Sequence, residues 1–186
     1  MFEEIALLAG AISLSTSAGL NAYLPLLLAG LAARYTGLVR LNEPFGVLTE
    51  GWVLAILAVL LLFEIVVDKI PVADTVNDLF QTAGRPLAGA ILFAGVSGPA
   101  GGAHPVAALV AGLLIAGGVH AAKMTARPVV TAITGGMGNW FVSMLEDMVS
   151  FLLAILAILV PLVAFGVIVV IAAMCIARLK DRRPEG

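Results

Sequence analysis

The chain has 186 residues, of which 61% are hydrophobic and only 12% are charged, whereas soluble proteins carry about 25% charged residues. Its mean hydropathy is +1.11 and its formal net charge is −2. Basic residues form a run only near the C-terminus, so we expect no nucleic-acid partner, and the single cysteine excludes an internal disulfide.

The apolar runs predict an integral membrane protein. Several of them reach or approach the ~20 residues that a helix needs to cross a bilayer. A lipid-exposed backbone must be helical or form a closed barrel, and these unbroken runs lack the alternation of a barrel strand. We therefore predict one all-α, polytopic membrane domain over residues 1–186, with about six transmembrane helices, some of them short or broken.

The predicted elements follow one another in short segments. Six spans are expected at residues 5–33, 51–67, 87–100 and 105–121, in a segment that ends near 160, and at 161–178. A polar loop covers 34–50, an interfacial helix covers 69–85, and Lys123 and Arg127 form a polar elbow. Residues 128–138 either begin the fifth helix or are re-entrant.

The distribution of Lys and Arg predicts the orientation. With these spans, eight of the ten cations lie on one side, and Arg34 and Arg40 lie on the other. Because cytoplasmic loops are rich in Lys and Arg, we predict a multi-pass protein of the plasma (inner) membrane with both termini in the cytoplasm.

Two short similarities within the chain suggest a weak internal repeat. The segment 16–27 resembles 134–145, and Gly84-Arg85-Pro86 resembles Ala126-Arg127-Pro128. Many transporters consist of repeats with broken helices at the binding site.

Four carboxylates flank Pro71 at i, i+4 spacing: Glu64, Asp68, Asp74 and Asp78. Converging carboxylates suit Mg²⁺ or Ca²⁺ or a proton relay, so these four are the candidate metal ligands, and a divalent cation is the one cofactor suggested. The alternative is a belt of salt bridges to the nearby cations Lys69, Arg85, Lys123 and Arg127.

A basic stripe forms where His120, Lys123 and Arg127 share one helix face. It suits an anion or a phosphate, or it is the counterpart of the acidic cluster. His120 is also a candidate pH-sensitive group.

Polar residues recur at helical spacing in two apolar segments. Asn139, Ser143 and Asp147, with Glu146 beside them, match the pattern of Ser13, Ser17 and Asn21. Such stripes line a hydrated path, or they bond helices to each other. If Glu146 and Asp147 instead lay in an external loop, about 30 apolar residues would remain for one span, more than the ~20 required.

Enzymatic chemistry has little support, since no G-x-S-x-G or Walker motif is present. One enzyme interpretation remains, in which Asp68, Asp74 and Asp78 hold Mg²⁺ on a lipid diphosphate. A flippase for such a lipid, or a structural or assembly membrane protein, are further alternatives.

Together these motifs resemble a known family of bacterial and plant membrane proteins, the "domain of unknown function 4126". The similarity covers nearly the whole chain and rests on these segments and residues: Ser17-Ala-Gly-Leu-Asn-Ala-Tyr-Leu-Pro-Leu-Leu27, Glu64-x-x-x-Asp-Lys-Ile-Pro71, Asp74, Asp78, Arg85-Pro-x-Ala-Gly-Ala90, His120-x-x-Lys123, Arg127, Asn139, Ser143 and Glu146-Asp147. The resemblance implies a multi-spanning protein whose signature residues are these polar ones, and it implies no activity.

The hypothesis that unites these patterns is a small transporter or channel for an ion or small charged solute. The cluster of Glu64, Asp68, Asp74 and Asp78 would form a cytoplasmic vestibule or coordination site. The path within the membrane would be lined by Glu146, Asp147, Asn21, Asn139 and Ser143. The supporting charges would be Lys69, Arg85, His120, Lys123 and Arg127. The lipid bilayer is the expected partner, and the Gly/Ala-rich residues 87–122 are compatible with a homo-oligomer.

Overall fold

The computed structural model describes residues 1–67, 71–98, 104–135 and 137–181, without the side chains of 71–79, 137, 139, 179 and 181. Apart from loops and a short 3-10 helix (Phe45–Thr49), these ranges are α-helical. The helices are α1 (Phe2–Leu20), α2 (Tyr23–Tyr35), α3 (Gly51–Val67), α4 (Pro71–Ser97), α5 (Pro105–Thr134), α6 (Met137–Leu159) and α7 (Pro161–Asp181).

The helices confirm the predicted class, a helical membrane protein. Three of them are long and apolar enough to cross a bilayer: Pro105–Thr134, Trp140–Leu159 and Pro161–Arg178. Helix α3 is also apolar but shorter. Helix α1 is the centre of the bundle and packs against α4, α5, α6 and α7.

The segment 5–33, expected as one span, is divided into α1 and α2 by a break at Asn21. The backbone of Asn21 is extended, with φ −140° and ψ 124°. Its Oδ1 accepts hydrogen bonds from Tyr23 N (3.1 Å) and Leu24 N (2.9 Å). A side-chain oxygen that binds the first free N–H groups of a helix is an N-cap interaction, so Asn21 starts α2 in a new direction.

The chain reverses at this break. Leu38 and Arg40, which follow α2, line a small cavity together with Glu3 and Ala6 from the start of α1. The ends of a single straight span could not meet in this way. Helices α1 and α2 therefore form a hairpin.

Helices α4 and α5 form a second hairpin, whose backbones touch at two glycines. A Cβ atom on Gly112 would lie 2.2 Å from the Gly89 carbonyl oxygen, so only glycine permits this approach. The Gly89 oxygen also accepts a hydrogen bond from Ser15 Oγ of α1 at 2.9 Å. This crossing holds α1, α4 and α5 together.

Two predicted interruptions are absent. The expected interfacial helix 69–85 continues through Pro86 into the rest of α4, and the expected elbow at Lys123 and Arg127 lies inside α5. A proline in a helix removes one hydrogen bond and kinks or breaks it, but here packing between α4 and α5 outweighs this cost. Residues 128–134 are the last residues of the helix that begins at Pro105, so both alternatives, the start of the following span and a re-entrant segment, are wrong for them. Gly135 terminates the helix at φ +62°.

Helix α6 contains Glu146 and Asp147, so the external-loop alternative is wrong. A single residue, Val160, separates α6 from α7. The bonds Val160 N to Leu156 O (2.8 Å) and Ala164 N to Val160 O (3.2 Å) continue the helical pattern on both sides of Pro161.

Candidate functional site

A buried ion pair joins α3 to α4. Arg85 Nη2 donates to Glu64 Oε1 at 3.1 Å, and the side chains of these residues are 0% and 1% exposed. Glu64 lies near the end of α3, where an otherwise apolar helix turns one carboxylate inward. Charges this deeply buried are found almost only when they are paired.

The same guanidinium contacts His120 of α5. Arg85 Nη1 lies 3.1 Å from His120 Nδ1, and His120 Nε2 lies 3.2 Å from Thr82 Oγ1. Because arginine can only donate, Nδ1 must accept this bond, and the ring proton is on Nε2. His120 is therefore a neutral imidazole that donates to Thr82.

A second set of ion pairs joins α5 to α6. Glu146 Oε2 lies 2.8 Å from Lys123 Nζ and 3.3 Å from Arg127 Nη2. Arg127 Nη2 also donates to Ser143 Oγ at 2.7 Å. Glu146, which has no cation near it in sequence, thus acquires two across a helix interface.

We call these eight residues the charged network. It comprises Glu64, Thr82, Arg85, His120, Lys123, Arg127, Ser143 and Glu146. Every charge in it comes from a helix adjacent to its partner's helix. Removal of one partner from such a buried pair is costly, because the remaining charge has neither water nor a counter-ion. The network can therefore fix the relative positions of α3 to α6, and a change in its pairing would move them.

The polar stripe of α1 binds neighbouring helices. Ser17 Oγ donates to Ser150 O at 2.8 Å, and Asn21 Nδ2 donates to Asp147 Oδ1 at 2.9 Å. Ser17 and Asn21 are fully buried, while Ser13 bonds to its own helix at Ala9 O. These contacts match the alternative of inter-helix hydrogen bonding better than the hydrated path.

Sequence reasoning missed two residues of α4: Thr82, which belongs to the network, and Gln81, which is next to it in the chain. Gln81 is 3% exposed, and its Oε1 has no hydrogen-bond partner among the described residues. Both residues precede Arg85 by three or four positions, which places them on the same helix face. This spacing from Arg85 is the feature of the sequence that could have predicted their place at the site.

The acidic cluster around Pro71 cannot be assembled from the described residues. Asp68 and Lys69 lie outside them, as do the side chains of Asp74, Asp78 and Asn139. Glu64, the remaining member of the predicted metal set, binds Arg85. Among the described side chains, no group of three or more His, Cys, Asp or Glu residues is placed to hold a metal ion.

Two cavities in the described part of the chain lie away from the charged network. One, of about 720 Å³, is lined by the end of α2 and the loop between α2 and α3, and includes Arg40, Glu43 and Glu50. Another, of about 480 Å³, lies between this loop and the start of α5 at Pro105.

Comparison with known proteins gives one family match. The model of the family described as "Domain of unknown function (DUF4126)" matches residues 8–181. No curated protein and no solved structure matches the chain.

Proposed function

Because the chain belongs to the family described as a domain of unknown function, and membership of that family gives no activity, we propose a function from the geometry. We propose that the protein is a small transporter or channel for an ion or small charged solute. The proposal rests on one observation: ionisable side chains from three helices are buried in an apolar bundle, and the partly buried Glu146 of a fourth helix pairs with two of them. Ionisable residues inside a membrane helix bundle mark ion or substrate pathways more often than they serve packing.

The energetics of buried pairs support this proposal. Well-packed apolar side chains usually stabilise a protein as well as a buried ion pair does, or better. A purely structural contact between α3 and α4 therefore needs no Glu64 and Arg85. Paired charges differ from apolar groups in one respect: when the helices separate, each charge can bind a new partner or water. We propose that the charged network is the closed gate of the path.

A flux assay in liposomes tests the function. We expect the purified protein to carry a cation, proton or small anion across the membrane, and Glu64→Gln and Glu146→Gln to change the rate at least about tenfold, since each leaves a buried cation without its carboxylate. Glu3→Gln, at an exposed residue, is the matched control. Absence of flux for every solute tested, with protein that remains folded, would contradict the proposal.

The structural or assembly role is the second candidate, favoured by the hydrogen bonds of Ser17 and Asn21. It predicts that the same variants lower stability and leave every transport measurement at the background level. The enzyme and flippase alternatives depend on Asp74 and Asp78, whose side chains lie outside the described residues. Arg85, Lys123 and Arg127, the cations that would bind a phosphate in those alternatives, each contact a carboxylate in this structure.

We further propose the plasma (inner) membrane as the location, with the end that carries Lys123 and Arg127 in the cytoplasm. The α1–α2 hairpin changes the expected position of the N-terminus, because it places Glu3 beside Arg40. The proposal now has the N-terminus on the side opposite the charged network. A single domain and a homo-oligomer remain predictions.

A further inference from the structure

The central helix α1 ends beside the middle of its neighbours α5 and α6. A Cβ atom on Gly19 would lie 2.6 Å from Ala116 O of α5, and Asn21 Nδ2 donates to Asp147 Oδ1 of α6 at 2.9 Å. Helix α5 continues from this level to Thr134, and the residues of α6 that precede Asp147 lie beyond it as well. The last part of α5 and the first part of α6 therefore extend past the end of α1.

The face of α5 that carries the network changes from buried to exposed along this extension. His120, Lys123 and Arg127 are buried, whereas Thr131 and Thr134 are exposed. Residues three or four positions apart lie on the same helix face, so the two threonines continue the stripe of the three network residues. The packing that buries this face therefore ends after Arg127.

The two faces of this part of α5 differ in polarity. Thr131 and Thr134 lie on the network face, while the opposite face carries Val129 and Ile133, which are 59% and 78% exposed. A helix with one polar and one apolar face separates a polar from an apolar environment. The apolar face suits lipid, and the threonine face suits water.

The two tryptophans of the chain place this extension at the depth of the membrane. Trp52 and Trp140, near the starts of α3 and α6, are 63% and 46% exposed, and tryptophan is enriched at both membrane surfaces. Glu64 lies about 18 Å after Trp52 along α3, and Glu146 lies about 9 Å after Trp140 along α6. Together these distances approach the ~30 Å thickness of the hydrocarbon core. The network therefore lies inside the membrane, closer to the Trp140 surface.

We infer that the ends of α5 and α6 line a water-filled vestibule, which leads from the Trp140 surface to the charged network. Water is the occupant that fits, because charged side chains in contact with lipid are costly. The break at Asn21 supports it, since non-helical backbone at membrane depth is tolerated only where protein buries it or where it lines a water-filled cavity. The role of the vestibule as an entrance rests on the proposed function, and it names the side from which the solute reaches the gate.

Spin labelling of α5 tests which face meets water. In a Cys175→Ser background, the variants Val129→Cys, Thr131→Cys, Ile133→Cys and Thr134→Cys are labelled in turn and placed in liposomes. We expect the labels at 131 and 134 to be more accessible to a water-soluble nickel chelate than to oxygen, which concentrates in lipid, and the labels at 129 and 133 to show the reverse. Depth changes steadily along α5 while direction alternates, so depth alone cannot produce this alternation.

Every other pattern would overturn the inference. Oxygen access at all four positions would mean that lipid fills the space, and nickel access at all four would place the segment outside the membrane. Low access of both reagents at 131 and 134 would mean that another protein chain covers this face. A label on Val170→Cys of α7, at a residue that is 57% exposed, is the lipid-facing control.

A second measurement needs no label on α5. Trp52→Phe leaves Trp140 as the single tryptophan, and a nitroxide at the lipid headgroup should quench its fluorescence more than a nitroxide deep in the acyl chains. Stronger quenching by the deep nitroxide, or no quenching by either, would contradict the depth assigned to the network and overturn the inference. Alternating access without any flux would refute the transport proposal and leave the vestibule intact, whereas flux with lipid-facing threonines would refute the vestibule alone.

Discussion

Arg85 shows how one buried residue organises the charged network. Its guanidinium is 0% exposed and binds Glu64 through one nitrogen and His120 through another. The fork of an arginine suits two partners in different directions, which a lysine ammonium does not reproduce. Arg85 therefore links α3, α4 and α5 at a single point.

A double-mutant cycle measures this link. Glu64→Gln leaves Arg85 buried beside a neutral partner, and we expect it to lower the free energy of unfolding by about 3–5 kcal/mol. The double variant Glu64→Leu/Arg85→Met replaces the pair with apolar groups and should recover most of that loss. Titration with a denaturing detergent, followed by circular dichroism, gives both values. Additive losses in the double variant would show that the two charges are not coupled.

The hydrogen bonds of His120 predict its tautomer. At neutral pH, ¹⁵N NMR of histidine-labelled protein should show a protonated Nε2 and an unprotonated Nδ1, since Arg85 can only donate to Nδ1. The chain has two histidines, and a His104→Gln variant assigns the signals. A protonated Nδ1 would contradict the contact with Arg85.

At the scale of helices, small residues decide which elements meet. Gly89 and Gly112 bring the backbones of α4 and α5 together, and Ser15 of α1 binds at the same point. Close approach through small residues is the usual mode of helix association in membranes. The hairpin of α4 and α5 therefore fixes the positions of the network's cations, since Arg85 lies in α4 and Lys123 and Arg127 lie in α5.

Alanine substitutions in α5 test the close packing of α4 against α5. Gly112→Ala places a methyl group 2.2 Å from the Gly89 oxygen, and we expect a loss of about 1–3 kcal/mol from overpacking. Gly118 has nothing within 4 Å of its Cβ position, so Gly118→Ala is the matched control and should be neutral or stabilising. A tolerated Gly112→Ala, with an unchanged Tm, would show that the crossing is not close in solution.

For the whole molecule, the hairpin of α1 and α2 sets the topology. It places residues near Glu3, Arg40 and Pro105 at one end. Helix α5 starts at that end and its 30 residues extend roughly 45 Å away from it. The ends of the molecule therefore differ from those of a scheme in which residues 5–33 cross the membrane once.

Cysteine labelling distinguishes the two schemes. In a Cys175→Ser background, we expect Glu3→Cys and Glu50→Cys to react with an impermeant thiol reagent from the same side of the membrane, and Ala132→Cys from the other. All three positions are exposed. Reaction of positions 3 and 50 from opposite sides would contradict the hairpin and support the scheme in which residues 5–33 cross the membrane once.

The internal similarities are only partly reflected in the fold. Arg85 and Arg127 each precede a proline inside a long helix, and each binds a carboxylate of a neighbouring helix. In the other similarity, each segment contains the end of one helix and the start of the next, but Asn21 lies at the break whereas Asn139 lies within α6. The two asparagines therefore occupy different positions relative to the helix break.

The sequence by itself determined the class of the protein and the residues that matter. Apolar runs require helices in lipid, because every backbone group must be satisfied within its own segment, and that requirement is local. The polar residues stand out for the same reason, since each is costly in lipid. Both inferences need no knowledge of neighbouring helices.

Only the tertiary structure decided how these residues are paired. Glu146 appeared isolated, yet it binds Lys123 and Arg127; the expected elbow at Arg127 is continuous helix, and the expected span at Asn21 is broken. Pairing depends on the rotation and register of helices that are distant in sequence. The energy of such contacts offsets the local preference of a proline or an asparagine, which is all that the sequence displays.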